Sequence, residues 1–340
     1  VSRLPENIAF AAYAAKPVSA PDCFVPLSLP VPTPGPTDVV VQLEATALNP
    51  IDTKRRAALK PQTTPAIFGY DGVGRIVACG QAVTTLAVGQ RVMYAGTTQR
   101  AGSYQHFQSV PAALVAAAPE DAPAADLAAL PLVGLTAWEL LFEKMGFIPQ
   151  ANANVGKRLL VVNGAGGVGS MLTQLAHWAG LTVLATASPA NFDWLQAHGV
   201  DYPLDYHEDL VAAIVPSGQF VDGIALLYAP EPYLEAATTL IAPLGHIATI
   251  VTPTTPLPLA GLKPKAASFD QEYMFTKSDY GVAVASTRQI LTQLATLYTQ
   301  GQLTASVTQT WPFTLANLVT ATQQLEAGHT RGKLCLLMEA

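Results

Sequence analysis

Apolar and polar positions change rhythm once along this chain, and the change divides it. Up to about residue 130 the pattern is short, β-like and broken by turn residues. Pro30, Pro32, Pro34, Gly35 and Pro36 make a stiff turn before residues 38–47, where valine and leucine alternate with other residues as on a strand. Residues 8–15 are a short apolar run with Glu6 beside it and Lys16 closing it, which fits a first β-strand better than a signal-peptide core. Residues 72–79 and 91–94 are two further strands, joined by the turn-like stretch 81–90, and together these strands predict a small barrel. From Lys157 onward apolar strands alternate with helical periodicity. Strands are predicted at 158–163, 181–187, 202–204, 221–227 and 246–251, and helices at 170–179, 191–198, 208–215 and 232–241. Strands that alternate with helices imply a parallel, doubly wound sheet, because parallel neighbours need crossover connections. A helix at 289–300 and a strand at 333–338 follow, as a tail that rejoins the first domain.

Composition narrows the class. The chain has 340 residues, too many for one ordinary core, and two domains are expected. Half of it is apolar and 12% is charged, which suits a compact enzyme, and a net charge of −6 argues against a nucleic-acid partner. The longest apolar stretch, 127–138, contains Pro131, Gly134 and Thr136 and is too short to cross a membrane. Cys23, Cys79 and Cys335 are few, odd in number and far apart, so a reducing cytoplasm is expected rather than a disulfide framework.

The sharpest local signal is Asn163-Gly164-Ala165-Gly166-Gly167-Val168-Gly169-Ser170. Glycines at 164, 166 and 169 permit a tight turn, a close approach to pyrophosphate and close helix–strand packing, and here a strand precedes them and a helix opens on them. Which dinucleotide binds depends on the end of the next strand. An NAD site places Asp or Glu there to grip the ribose 2′-hydroxyl. This chain has Thr186-Ala187-Ser188-Pro189, with no acid before Asp193. A carboxylate repels a 2′-phosphate and Ser188 can donate to one, so NADPH is the expected cofactor. Ser188 could equally cap the helix that follows.

Read together, several segments resemble the medium-chain dehydrogenase/reductase superfamily over nearly the whole chain, most closely its zinc-less quinone oxidoreductase branch, which includes zinc-type alcohol dehydrogenase-like proteins. The matching segments are Ala47 to Lys54, Gly69 to Gly74, Leu130 to Trp138, the glycine loop, Phe275 to Ser278 and Gly332 to Leu334. The resemblance implies an α/β protein. Its GroES-like β-barrel substrate domain would comprise 1–131 completed by 285–340, with a Rossmann dinucleotide-binding domain at 132–284 and an active site in the cleft between them. It also implies a homodimer. By the same resemblance Asn49 and Thr136 sit near the nicotinamide. Gly164, Ala165, Gly166, Gly167 and Val168 line the pyrophosphate, and Ser188 and Tyr206 lie by the 2′-phosphate. Related enzymes often carry Lys or Arg just after the Ser188 position, where this chain has Pro189 and Phe192.

Zinc-dependent members bind the metal through Cys and His and leave one position open for substrate oxygen. In the matching segments this chain has Asn49 for the first cysteine, Tyr70 for the histidine, and Leu132 and Val133 near the third position, while the acidic Asp71 survives. No cysteine occurs in 81–118, where the structural-zinc lobe would be, and the six histidines are scattered. Without a Lewis acid, hydride transfer to a quinone or an α,β-unsaturated carbonyl is easier than oxidation of an alcohol, because the charge spreads onto an oxygen that needs only hydrogen-bond donors. Candidate donors are Lys54, Tyr70 and the Asn49 amide. Lys54 stands where some relatives have tyrosine, and its alternative reading is a surface lysine paired with Asp52. Asp52 either orients the site or binds backbone at a helix start, and Tyr70 is a donor or a core aromatic. Two other functions fit the sequence: a zinc-type alcohol dehydrogenase, and an idle NADPH-binding structural protein like the lens crystallins of this family.

Overall fold

A computed structural model of the chain describes residues 6–215 and 220–339. Residues 1–5 and 340, the two ends of the first domain as read from the sequence, lie outside the described residues. The chain forms two compact units, Val1–Leu132 with Phe275–Ala340, and Val133–Met274.

In the first unit β1 (Glu6–Ala12) pairs antiparallel with β2 (Val25–Pro30), from Glu6 opposite Pro30 to Ala11 opposite Val25. Pro26 and Pro30 are tolerated in β2 because it lies at a sheet edge. β3 (Asp38–Ala47) centres the larger sheet, and Val39, Val40 and Val41 are all buried, so both faces of this strand are covered. α1 (Pro50–Ala57) follows at once, with its proline in the first turn, where a missing N–H costs nothing. β4 (Ala66–Ile67) pairs with the far side of β1. β5 (Gly72–Cys79) runs antiparallel to β3, and β6 (Arg91–Tyr94) antiparallel to β5. β7 (Phe107–Pro111), β8 (Ala116–Ala117) and the short α2 (Ala124–Ala128) complete this stretch.

The second unit begins within α3 (Pro131–Trp138), which continues as a wider π-type turn over Glu139–Lys144. Six parallel strands then form one sheet: β9 (Arg158–Val162), β10 (Thr182–Ala187), β11 (Tyr202–Asp205), β12 (Val221–Leu226), β13 (Ile241–Thr249) and β14 (Ser268–Gln271). Their spatial order is β11-β10-β9-β12-β13-β14, the doubly wound arrangement in which the chain starts centrally and reverses direction after its third strand. The crossovers include α4 (Gly167–Trp178), α5 (Phe192–Ala197), α6 (Leu210–Ile214) and α7 (Leu234–Leu240). Leu160, Leu184, Ile224 and Ile247 from the strands pack with Ile214 and Leu240 from the helices in one buried cluster. Among the described residues the five strands read from the sequence are therefore six. Ser268–Gln271 carries Asp270 and Gln271 and has no apolar run to mark it, as an edge strand permits. β13 starts at Ile241, before the expected residue 246, because it absorbs Leu244 in the left-handed region (φ 65°) as an irregularity opposite β12.

The tail returns to the first unit at Phe275 rather than at 285. α8 (Phe275–Tyr280) is held there by Asp279, which accepts a 2.9 Å bond from the Thr97 hydroxyl, and by Phe275, whose ring lies 4.6 Å from that of Tyr70. α9 (Val284–Thr299) follows, then β15 (Val307–Pro312), α10 (Leu315–Glu326) and β16 (Lys333–Leu337), a parallel pair with its helical crossover. β16 pairs antiparallel with residues 45–47 of β3, while β7 takes residues 38–42 of the same edge. The hydrogen-bonded path β15-β16-β3-β5-β6-β8 is thus completed by the last strand of the chain. Among the described residues no helix is long and apolar enough to cross a membrane.

Candidate active site

The glycine loop links β9 to α4 in the second unit. Asn163 sits in the left-handed region (φ 70°), which asparagine tolerates, and turns the chain out of the strand. The Asn163 and Gly164 N–H groups donate to the Thr186 hydroxyl and carbonyl, both at 2.9 Å, so the loop is pinned to the end of β10. The three glycines have different reasons. A Cβ on Gly164 would lie 2.7 Å from that of Ala185, and one on Gly169 would lie 2.4 Å from the Asn163 carbonyl oxygen; both positions are closed by packing. A Cβ on Gly166 would meet nothing nearer than 3.4 Å. The middle glycine therefore leaves open a cradle that the protein's own packing does not require. Gly166, Gly167 and Val168 are half-buried around it, at the start of a 12-residue helix whose first N–H groups and dipole attract an anion.

Ser188, at the end of β10, is half-buried. Its hydroxyl oxygen accepts from the Asn191 side chain at 3.0 Å, and its carbonyl, not its side chain, accepts the Asn191 N–H. No backbone N–H of the following helix reaches the hydroxyl, so Ser188 is not a side-chain cap. Tyr206 stands beside it: Ala187 pairs with Asp205 across β10 and β11, and the Tyr206 N–H donates to the Ala187 carbonyl at 3.4 Å. The Tyr206 ring is partly exposed and lies 4.0 Å from that of His207, which is bonded to Asp205. Thr136 is buried in α3.

In the first unit Asn49 and Asp52 belong to a sealed polar cluster. Asn49 precedes α1, and its Nδ2 donates to Asp71 at 2.8 Å and to the Ala47 carbonyl at 3.4 Å. Both amide hydrogens of this candidate donor are thus directed at protein acceptors. Asp71 has no exposed surface; one oxygen accepts from the Leu132 N–H in the first turn of α3 at 2.8 Å, and the other serves Asn49. Into this group comes Lys333 from β16. Its ammonium donates to the Leu48 carbonyl (3.0 Å), Asn49 Oδ1 (2.5 Å) and Asp71 Oδ2 (3.0 Å), one acceptor for each of its three N–H bonds. Removing one partner of such a buried ion pair costs about 3–5 kcal/mol, far more than a surface pair is worth.

Asp52 completes the cluster. One carboxyl oxygen accepts from the Asn49 N–H at 2.7 Å and from the Tyr104 hydroxyl at 3.1 Å, so it does bind backbone at a helix start. The other oxygen is buried with no hydrogen-bond partner among the described residues. Burial raises its pKa from 3.8 to about 7, against the opposing pull of the Asn49 N–H and of Lys333. Burial also holds the Tyr104 phenol well above its usual range. Two acids and one ammonium thus share a closed space, and a proton on Asp52 leaves the group neutral.

Lys54 does not join them. It is exposed on α1 while Asp52 points inward, so the two do not pair. Tyr70 is buried, with its ring against Phe275. Sequence reasoning missed Lys333 and Tyr104 as site residues. Lys333 left a trace, as a lysine opening the buried apolar strand Lys333–Leu337, whereas Tyr104 left none. Among the described residues no group of three or more His, Cys, Asp or Glu is arranged to hold a metal ion.

An open β-rich domain completed from the chain's end, and a doubly wound sheet with a dinucleotide loop, define an oxidoreductase. The comparisons agree. The alcohol dehydrogenase GroES-like domain matches residues 35–120, and the zinc-binding dehydrogenase domain matches 198–336. A zinc-type alcohol dehydrogenase-like protein of Staphylococcus aureus strain COL is 36% identical over 310 residues, covering 90% of this chain and 92% of its own. Among solved structures, a putative zinc-dependent alcohol dehydrogenase from Rhizobium etli CFN 42 superposes with a TM-score of 0.92 at 30% identity, covering 99% of this chain and all of its own. A quinone oxidoreductase from Coxiella burnetii gives 0.82 at 25% identity over 98% of this chain and 100% of its own. A mycobacterial protein complexed with NADPH gives 0.82 at 27% over 97% and 99%. The chain belongs to the medium-chain dehydrogenase/reductase superfamily, in its quinone oxidoreductase branch.

The state of Asp52 makes a prediction. Its folded pKa lies above the unfolded value, so its contribution to stability is full below pH 3.8 and is lost as pH rises through about 7. Asp52→Asn keeps an acceptor for Asn49 and Tyr104 and removes this titration. Urea melts at pH 5 and pH 8 should show the wild type losing roughly 2–4 kcal/mol more than the variant over that interval. Parallel losses in the two proteins would mean that Asp52 does not hold the proton.

Proposed function

We propose that this protein is an NADPH-dependent reductase acting on quinones or α,β-unsaturated carbonyls without a catalytic metal. One observation carries the reading. Where metal-dependent relatives place thiolate and imidazole ligands, this chain has an amide and a phenol, and the Lys333 ammonium is bonded to that amide. Amide and phenol are poor zinc donors, and a fixed positive charge beside them opposes a divalent cation. Zinc does not fit this residue set.

NADPH fits the second unit. The open face at Gly166 and the first turn of α4 would hold the pyrophosphate, with Ser188 and Tyr206 at the 2′-phosphate. The Ser188 hydroxyl accepts from Asn191 and keeps its own hydrogen to donate. When bound, the cofactor supplies hydride. The chain's part is to bind it, keep water away and present donors to an oxygen that gathers charge. A conjugated acceptor needs no more than that, whereas an alcohol needs its alkoxide stabilised. Tyr70 and the exposed Lys54 remain the candidate donors on the first unit.

Three measurements test the reading. In a panel of quinones, enones and simple alcohols, quinones or enones should turn over far faster than ethanol or benzyl alcohol is oxidised, with activity retained in a strong chelator. One zinc per chain together with chelator inactivation would overturn the metal-free reading. Ser188→Asp should reverse the preference for NADPH over NADH, since it loses a hydrogen bond to a charged group worth roughly 1.5–3 kcal/mol, or one to two decades in affinity. Equal wild-type affinities, or an unchanged variant, would remove Ser188 from the phosphate site. We also infer a cytoplasmic homodimer, supported by three free cysteines and by the outer strands β11 and β14, whose edges can pair with a second copy. Light scattering that finds a monomer at micromolar concentration would remove the dimer, and recovery from a secreted fraction would remove the compartment.

A further inference from the structure

We propose that Lys333 is a positioning residue of this active site: its buried ammonium fixes the orientation of the Asn49 amide and, through Asp71, the first turn of α3. The inference rests on the reductase reading above.

An asparagine amide is nearly symmetric in shape, so only its hydrogen-bond partners decide which end is oxygen. Here the partners leave one solution. Lys333 can only donate, and it faces Oδ1 at 2.5 Å; ionised Asp71 can only accept, and it faces Nδ2 at 2.8 Å. The reversed amide would set NH₂ against an ammonium and oxygen against a carboxylate. Asp71 passes the constraint on, because its second oxygen holds the Leu132 N–H of α3, the helix that also carries Thr136. Lys333 thereby ties together Asn49 at the start of α1, the start of α3 and the last strand of the chain.

A merely structural role does not call for lysine. The rest of β16 is Leu334, Cys335, Leu336 and Leu337, and a methionine in the first place would fill similar volume without desolvating a charge. What methionine cannot do is distinguish the two ends of the Asn49 amide or neutralise Asp71. Lys333 also acts on Asp52, together with Asp71 and Tyr104; it is the one cation among these, and its field favours the carboxylate. Its removal should therefore move the titration of Asp52 upward.

The test compares full-length Lys333→Met and Lys333→Arg with the wild type. Three readouts are needed: kcat and KM with the best acceptor, NADPH affinity by fluorescence titration, and the pH midpoint of the thermal stability change. In Lys333→Met, kcat should fall about ten- to a hundred-fold, the loss expected of a misplaced group rather than a missing one. NADPH affinity should stay within about two-fold, because the glycine loop belongs to the other unit. The pH midpoint should rise. Lys333→Arg should recover part of kcat and of the midpoint, since it restores the charge. A Lys333→Met protein that loses only melting temperature, with kcat and midpoint unchanged, overturns the proposal, as does an equal loss in Lys333→Arg. If Lys333→Met does not fold, Asn49→Leu, which removes the oriented amide and leaves the Lys333–Asp71 pair, carries the test, and an unchanged kcat there overturns it. A wild type that reduces no quinone or enone refutes the reductase reading instead, while the pH midpoint still reports on Lys333.

Discussion

An ammonium taken out of water loses several kcal/mol of hydration, and it persists in a protein interior only where acceptors meet each of its hydrogens. Lys333 meets that condition with Leu48, Asn49 and Asp71, which come from the end of one strand, the start of a helix and the turn before another strand. To satisfy one charge, the fold must bring the last strand of the chain beside residues almost three hundred positions earlier. β16 does this by taking the edge of β3 that β7 leaves free. The returning tail is thus an electrostatic requirement of the site as well as a completion of the sheet.

The same charge organises the acids around it. Asp71 is held between an ammonium and a helix N–H, which take its two oxygens. Asp52 has a neighbouring carboxylate and an oxygen with no hydrogen-bond partner among the described residues, and burial pushes its pKa up to about 7, where a proton would leave the group neutral. A chain that kept cysteine and histidine at positions 49 and 70 would balance its charges differently, since thiolates need a cation stronger than one lysine.

The second unit meets a different constraint, which is distance. A dinucleotide must lie against backbone, and the loop from Asn163 to Gly169 makes this possible by removing side chains where strand, turn and helix converge. Two of the three glycines are demanded by the protein's own atoms. The third is not, and its freedom is the clearest sign in this unit that something other than protein occupies the space.

Much of this was legible from the residues alone. The parallel sheet followed from strand–helix alternation, because apolar runs such as Leu159–Val162 and Val183–Ala185 can only be covered on both faces by crossover helices. The glycine loop, the missing thiolates and the family likewise follow from residue type and spacing. What stayed hidden depends on contacts between distant positions. The edge strand Ser268–Gln271 has no hydrophobic signature, because half of its pairing capacity faces away from the sheet. The strand read from residue 246 begins at Ile241, because Leu244 is a tolerated irregularity within β13. Asn49 had the right chemistry for a donor, yet only the fold revealed that Asp71 and Ala47 already take its hydrogens. Lys333 lay in a family-matching segment, yet its place in the site stayed hidden, since sequence specifies which groups carry charge but not which of them will be shut away from water. Burial and partnership decide that, and both arise only when segments far apart in the chain are packed together.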